Sequence, residues 1–348
     1  MASPEIQLGA RKVGEDHVPL VVAEIGINHG GDLESAFRIV ESAKRAGAEA
    51  VKHQTHVLDD EMSNEAREIK PGNSPEPIYT IMERCSLSFD EEVALKERVE
   101  ELGMLFLSTP FSRKAVDRLV AMNVTAFKIG SGECNNYPLV DYVASMGKPI
   151  ILSTGMSELD EVRGSVSIIE QYAVPYALLH CTNVYPTPPE IVRLEAIREL
   201  RETFSNAVVG YSDHTENNYA CYGAVALGAS IVERHFTDSK DRDGPDIVCS
   251  MSPQDLRDLI KASTYLRSER GGKKGLVEEE RVTKRFANAS VVAVRDIYKG
   301  EVFTEDNIWV MRPGTGDYAA AEYWGLLGKT SSEHIKANWQ IKRSQVVE

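Results

Sequence analysis

One recurrence narrows the fold of this chain more than any other feature. Eight short apolar runs fall in its first two-thirds, and each ends in polar side chains: VVAEIG from Val21, AVKHQTH from Ala50, LFLSTP from Leu105, FKIGSGE from Phe127, PIILSTG from Pro149, YALLHCTN from Tyr176, VVGYSDH from Val208 and IVERHF from Ile231. Between them apolar residues recur at three- and four-residue spacing, the period of helices lying on a sheet. Strand and helix alternating in this way predict an α/β fold, a (β/α)8 TIM barrel, whose chemistry sits at the carboxyl ends of the strands. Each polar cluster is therefore a candidate contributor to one site.

Local signals fit that frame. Ser88 and Glu91 make a capping box, Ser157 precedes another helix, and Ser252-Pro253 reads as an N-cap followed by proline at the first helical position. The segment from Asp59 to Glu83 is long for a βα loop and carries Pro71, Gly72, Pro75 and Pro77, so it is expected to fold over the top of the barrel. The barrel is expected over residues 1–270, a charged, glycine-containing linker over 271–286, and a compact β-rich domain over 287–348. A domain of about 60 residues is near the lower limit for independent stability and is expected to lean on something else.

The chain has 348 residues and a formal charge of −14, from 39 basic and 53 acidic side chains. A field of that sign repels nucleic acid and anionic lipid, and no basic stripe interrupts it. Neither partner is expected. No signal-type apolar segment opens the chain, and the five cysteines are scattered without a C-x-x-C pair, which suits a reducing cytoplasm. In so acidic a chain, a lysine at a strand end is informative, because an anionic substrate must be held against the global charge.

Side chains two apart on a strand share a face. Lys52, Gln54 and His56 therefore align, as do Ser212 and His214, and Glu233 and His235. Closing the barrel sets the seventh and eighth runs side by side, so His214 and His235 can meet at its top and offer two imidazoles to a divalent metal; satisfied core histidines are the plain alternative. Lys52 and Lys128 are candidate phosphate or carboxylate partners or, in other barrels, Schiff-base nucleophiles. Ser131, Ser153, Thr154 and Ser212 add hydroxyl donors. Glu24 and Glu133 can bind sugar hydroxyls or move protons. Asp246, Asn183 and Tyr185 complete a polar rim, which singly would be ordinary turn residues.

Taken in order, AEIGINHGGDL, VKHQTH, STPFS, FKIGSGECNNYPL, ILSTGM, LLHCTNVYPTP, GYSDHT, ALGASIVERHFT and GPDIVCSM resemble the sialic acid synthase family over nearly the whole chain. VKHQTH and SDHT look more like the bacterial N-acetylneuraminate synthases than the animal enzymes, which act on a 6-phosphorylated sugar. The tail, ASVVAVRDIYKGEVFTEDNIWVMRPGTG…LLGK, is similar to the antifreeze-like (β-clip, SAF) domain that ends these enzymes.

The resemblance implies condensation of phosphoenolpyruvate with N-acetylmannosamine and water, giving N-acetylneuraminate and phosphate by C–O cleavage. It implies that Lys52, Thr109, Lys128, Ser131, Ser153, Asn183 and Ser212 hold phosphoenolpyruvate. By the same resemblance Glu24, Gln54, Glu133, Tyr185 and Asp246 surround the sugar, with Glu133 and Glu24 as catalytic carboxylates and Glu133 the stronger acid–base candidate. His214 and His235 would hold Mn2+ or Mg2+. Arg312 would reach the sugar's N-acetyl group from the other subunit of a domain-swapped homodimer. Three rivals stand beside this reading: a sister synthase making legionaminate or pseudaminate, a Schiff-base aldolase using Lys52 or Lys128, and a non-enzymatic barrel carrying a binding module.

Overall fold

A computed structural model of the chain describes residues 3–72 and 74–347. A short antiparallel hairpin comes first, β1 Glu5–Leu8 with β2 Arg11–Gly14. The barrel strands follow: β3 Leu20–Gly26, β4 Ala50–Thr55, β5 Leu105–Pro110, β6 Phe127–Ile129, β7 Ile150–Ser153, β8 Tyr176–Cys181, β9 Val208–Asp213 and β10 Ile231–His235. They pair in parallel in the order β5-β4-β3-β10-β9-β8-β7-β6, and β5 comes within 8 Å of β6 to bring the ends of the sheet together. All eight apolar runs are strands of this one sheet.

Side-chain parity divides each strand. Inward positions at the amino ends are apolar: Leu20, Val22, Ala50, Leu107, Ala126, Ile151, Ala177, Leu179, Val208 and Ile231 pack as one cluster. Each branched aliphatic removed from water there contributes on the order of 1.5–3 kcal/mol. Ile6, Leu8 and Val13 of the hairpin join the same cluster and plug the amino end. Two four-residue strands give too short an alternation for this hairpin to stand out in the sequence. Toward the carboxyl ends, two residues further along most strands and four along β9, the inward positions become Glu24, Lys52, Thr109, Lys128, Ser153, Ser212 and Glu233, all buried. The outward positions (Val21, Ala23, Ile25, Val51, Phe106, Phe127, Val209 and Val232 among them) face the surrounding helices in a second, larger cluster.

The helices form where the apolar period indicates, and Ser88 closes its capping box with Glu91 before the helix Phe89–Glu101. Ser252 caps Pro253–Glu269 in the same way. Three details differ from the sequence expectation. The cap expected at Ser157 falls on Glu158, whose backbone pairs with Glu161 ahead of the helix Leu159–Gln171. The long loop after β4 holds a short helix Leu58–Glu61, a turn Asn64–Arg67 and a helix Ile78–Cys85, which its prolines had concealed. The segment expected as linker contains an exposed helix Arg281–Ala287, built from the charged, helix-favouring run EEERVTKR.

The chain divides into two compact units, one ending at Gly271 and one beginning at Gly272. In the second, β11 Ser290–Ala293 pairs antiparallel with β12 Ile308–Met311, and β13 Thr330–Ser331 with β14 Val346–Val347. Its core is Val291, Ala293, Ile297, Phe303, Ile308, Leu326, Ile335 and Ile341. Among the described residues no helix is long and apolar enough to cross a membrane.

Candidate active site

The carboxyl end of the barrel encloses a cavity of about 130 Å3 lined by Glu24, Lys52, Gln54, Thr109, Lys128, Ser131, Ser153, Asn183, Tyr185, Ser212, His214, Glu233 and His235, with Phe111 and Cys181. The two largest clefts among the described residues, of about 500 and 480 Å3, lie elsewhere and hold no comparable convergence of titratable groups. Twelve of the fifteen residues expected from the sequence thus share one cavity. Glu133 and Asp246 stand beside it rather than in its lining. Arg312 lies in the second unit, exposed, in a cleft with Trp339 and Gln340.

The cavity floor is an alternation of charge. Lys52 Nζ lies 2.9 Å from Glu24 Oε2 and 3.6 Å from Glu233 Oε1, and it donates to Thr109 Oγ1 at 3.1 Å. Lys128 Nζ donates to Ser153 Oγ at 2.7 Å and lies 3.7 Å from Glu233 Oε1. Ser212 Oγ donates to the same Glu233 oxygen at 3.3 Å. Glu233 is not among the site residues that the sequence suggests. Its parity with His235 was the available signal; its two cationic partners come from distant strands and become visible only when the barrel closes.

Burial acts differently on the two lysines. It pushes both pKa values down, but for Lys52 the charges of Glu233 and Glu24 outweigh it and hold the pKa up. Lys128 has Glu233 against that effect and Lys52 reinforcing it, so its pKa falls. Burial would raise Glu233, yet Lys128 and Lys52 pull it below the usual carboxylate range. Lys52 is therefore a fixed ammonium, a poor imine-forming nucleophile and a good anion clamp.

Facing the lysines, the loops after β6, β7 and β8 converge. Gly155 N–H donates to Ser131 Oγ at 3.1 Å. A Cβ on Gly155 would lie 1.9 Å from Asn183 Oδ1, so only glycine lets these loops meet. Asn183 Oδ1 is buried without a hydrogen-bond partner. Hydroxyls, amides and two ammonium groups converge here on a space suited to a small polyanion.

At the opposite wall His214 and His235 have ring centroids 5.6 Å apart, and the Tyr185 ring lies 3.9 Å from that of His214. His214 Nδ1 donates to Thr182 O at 3.0 Å, which leaves Nε2 as the free lone pair. His235 Nδ1 is buried without a hydrogen-bond partner, 3.7 Å from Asp246 Oδ2. Burial lowers the pKa of both imidazoles, favouring the neutral form that ligates metals. The donor set fits a divalent cation with the remaining positions open to water or substrate; among the described residues no group of three or more His, Cys, Asp or Glu closes a cage. Gly26, at φ +46, sits at the register shift between β3 and β4, and a Cβ there would press on both Glu24 and His235 at 3.3 Å.

Glu133 follows β6 on the turn Ser131–Glu133 and accepts from Asn136 Nδ2 at 2.5 Å. Partial burial raises its pKa; the Asn136 bond opposes this and the charge of Glu61 adds to it. That suits a group that must both carry and release a proton. Asp246 belongs to the loop after β10, which Lys240 Nζ fastens through the carbonyls of Ile247 and Ser250.

Sequence comparison assigns this barrel. Residues 39–275 match the NeuB family model, and residues 288–347 match the SAF domain. The chain belongs to the NeuB family. It is a sialic-acid-type synthase with a C-terminal SAF domain. It is 40% identical to an uncharacterized protein of Methanocaldococcus jannaschii over 90% of each chain. It is 34% identical to the N,N'-diacetyllegionaminic acid synthase of Legionella pneumophila, covering 94% of this chain and 95% of that one. The crystal structure of N-acetylneuraminic acid synthetase from Leptospira borgpetersenii superposes with a TM-score of 0.73 at 31% identity, covering 81% of this chain and 95% of that one. NeuB relatives named for different nine-carbon sugar acids thus stand at similar identity.

Proposed function

We infer that this NeuB protein condenses phosphoenolpyruvate with N-acetylmannosamine and water to give N-acetylneuraminate and phosphate. The observation that carries the reading is the pair Lys52 and Lys128, buried in one layer of a chain of charge −14 and surrounded by hydroxyl and amide groups. Such a site is built for a small, highly charged anion, and phosphoenolpyruvate carries both a phosphate and a carboxylate.

The chemistry follows from that placement. The lysines and the Ser131–Gly155–Asn183 cradle fix the anion, so that its carbon 3 faces the aldehyde of the open-chain sugar beneath Tyr185 and His235. Carbon 3 forms the new bond to the aldehyde carbon, whose oxygen takes up a proton. Carbon 2 gains oxocarbenium character, and Glu24 and Glu233 supply negative charge nearby. Water adds to carbon 2 and gives up a proton, for which Glu133 is the acceptor of suitable pKa. The tetrahedral adduct then expels phosphate with the bridging oxygen, leaving the keto acid. His214 and His235 would hold Mn2+ or Mg2+, and the metal supplies Lewis-acid polarisation of the aldehyde oxygen when bound. In this reading Arg312 grips the N-acetyl group from the second subunit of a swapped homodimer.

The sister-synthase reading rests on the 34% identity to a legionaminic acid synthase and changes only the sugar. One experiment separates these: purified protein with phosphoenolpyruvate and either N-acetylmannosamine or a 2,4-diacetamido-trideoxyhexose, with product followed by mass. N-acetylmannosamine should turn over faster; a preference for the diacetamido sugar would assign the sister activity. Phosphoenolpyruvate carrying 18O at its bridging oxygen should deliver the label to phosphate, and label kept in the sugar acid would reject C–O cleavage.

A further inference from the structure

A line of polar contacts leads out of the cavity into the loop above it. Gln54 Nε2 donates to Glu24 Oε1 at 2.8 Å. The other end of that amide, Oε1, lies 3.3 Å from His56 Nε2. His56 Nδ1 in turn meets both carboxylate oxygens of Glu61, at 3.1 and 2.9 Å. Glu61 ends the short helix Leu58–Glu61, whose Asp60 is tied separately, its Oδ2 accepting from Lys114 N at 2.8 Å. The His56 and Glu61 side chains are 3% and 9% exposed, and the His56 ring stacks on Phe111 with centroids 4.5 Å apart and planes 9° apart.

The donor and acceptor count along this line is restrictive. A carboxylate such as Glu24 accepts from the NH2 end of an amide and repels its oxygen. With the NH2 group on Glu24, the Gln54 oxygen faces His56 and needs a hydrogen on Nε2. The Glu61 carboxylate needs a hydrogen on Nδ1. Glu61 thus holds the ring by Nδ1 and turns Nε2 toward the Gln54 oxygen. Without the Glu61 anchor the ring is free to turn, Gln54 Oε1 loses its partner, and the amide is held from the Glu24 side alone. Its NH2 group would then wander from its place beside Glu24 and Lys52.

We propose that Glu61 and His56 form a positioning dyad that fixes the amide of Gln54 with its NH2 group on Glu24. The dyad touches no substrate and acts through Gln54; its consequence for turnover rests on the reading of the cavity as the synthase site.

The test uses the full-length protein, deuterated and labelled with 15N-glutamine. Six glutamines give six side-chain NH2 pairs, and loss of one pair in Gln54→Met assigns Gln54. Glu61→Gln adds a seventh pair, and the pair it loses in a Gln54→Met background is that of Gln54; this pair should move away from its carboxylate-bonded position, whereas Asp60→Ala, which cuts the loop's other tether, should leave it in place. In turnover, Glu61→Gln should lower kcat about tenfold with KM for phosphoenolpyruvate within about twofold, and should cost nothing further in a Gln54→Met background. An unmoved Gln54 resonance in folded Glu61→Gln would overturn the dyad, as would an equal shift in Asp60→Ala or a full additional loss in the double variant. If Gln54→Met has no measurable turnover, the resonance decides. If the wild type turns over no hexosamine, the synthase reading fails while the resonance still judges the dyad.

Discussion

Lys52 and Lys128 come from different strands and share one carboxylate oxygen: Glu233 Oε1 lies 3.6 Å from the first Nζ and 3.7 Å from the second. This spacing holds two like charges in one buried layer. Breaking a buried pair by removing one partner leaves an uncompensated charge, typically at a cost of about 3–5 kcal/mol. Glu233→Gln and the removal of either lysine are therefore all expected to weaken the fold as well as the site, so urea melts accompany each binding measurement.

Lys128→Ala should weaken phosphoenolpyruvate binding far more than sugar binding. Loss of a charge-assisted hydrogen bond of about 1.5–3 kcal/mol corresponds to roughly ten- to hundredfold in affinity. Calorimetry with phosphoenolpyruvate alone measures this, and an unchanged affinity would reject the assignment of Lys128 to the anion.

His214→Ala and His235→Ala should each abolish turnover. EDTA should do the same to the wild type, reversibly on adding Mn2+ or Mg2+. Full activity in a sample shown by elemental analysis to be free of metal would remove the cation from the reaction.

Glu133 should produce a limb in the pH profile of kcat whose midpoint lies above the usual carboxyl range, because burial raises its pKa. The amide of Asn136 stabilises the ionised form, so Asn136→Asp, which keeps a helix-capping oxygen and replaces the donor with a like charge, should move that midpoint to higher pH. A midpoint that stays put would show that another group titrates.

Glu92 tests stability rather than catalysis. It is fully buried behind β4 and β5, its two carboxylate oxygens lack hydrogen-bond partners, and Arg118 lies 3.5 Å away. Burial raises its pKa to about 7. The folded state then holds a proton that the unfolded chain releases near pH 4.5, so Glu92 lowers stability progressively as pH rises from about 4.5 to 7 and fully above that. Glu92→Gln should gain on the wild type by ~1–3 kcal/mol between pH 5 and 8, read from urea melts at each pH. A difference that is flat with pH would mean that Glu92 does not titrate in this window.

Arg312→Ala and His235→Ala, each inactive alone, should complement when unfolded and refolded together. In a swapped dimer each mixed pair has one site with both lesions and one with neither. Random pairing makes roughly half the dimers mixed, so about a quarter of all sites should recover. No recovery despite demonstrated subunit mixing would confine the arm to its own barrel.

The sequence by itself determined the eight barrel strands, because an apolar run bounded by turn residues is a local pattern that needs no partner to be read. It also determined which side chains share a face, Lys52 with Gln54, Ser212 with His214 and Glu233 with His235, since strand parity is fixed by backbone geometry. Its motifs placed the chain among the sialic-acid-type synthases, and the family matches agree. Tertiary structure decided what lies between strands. Glu233 became the shared counterion only when β4, β6 and β10 closed around it, and Gly155 became irreplaceable only when Asn183 was brought against it. The hairpin Glu5–Leu8 and Arg11–Gly14 became a plug because the barrel's open amino end gave its apolar side chains a place to bury. Likewise Glu61, within the long proline-containing loop, became a partner of His56 once its helix was folded back over β4. Charge balance, close approach and burial are properties of pairs distant along the chain, and a linear pattern carries the members of such pairs without their distances.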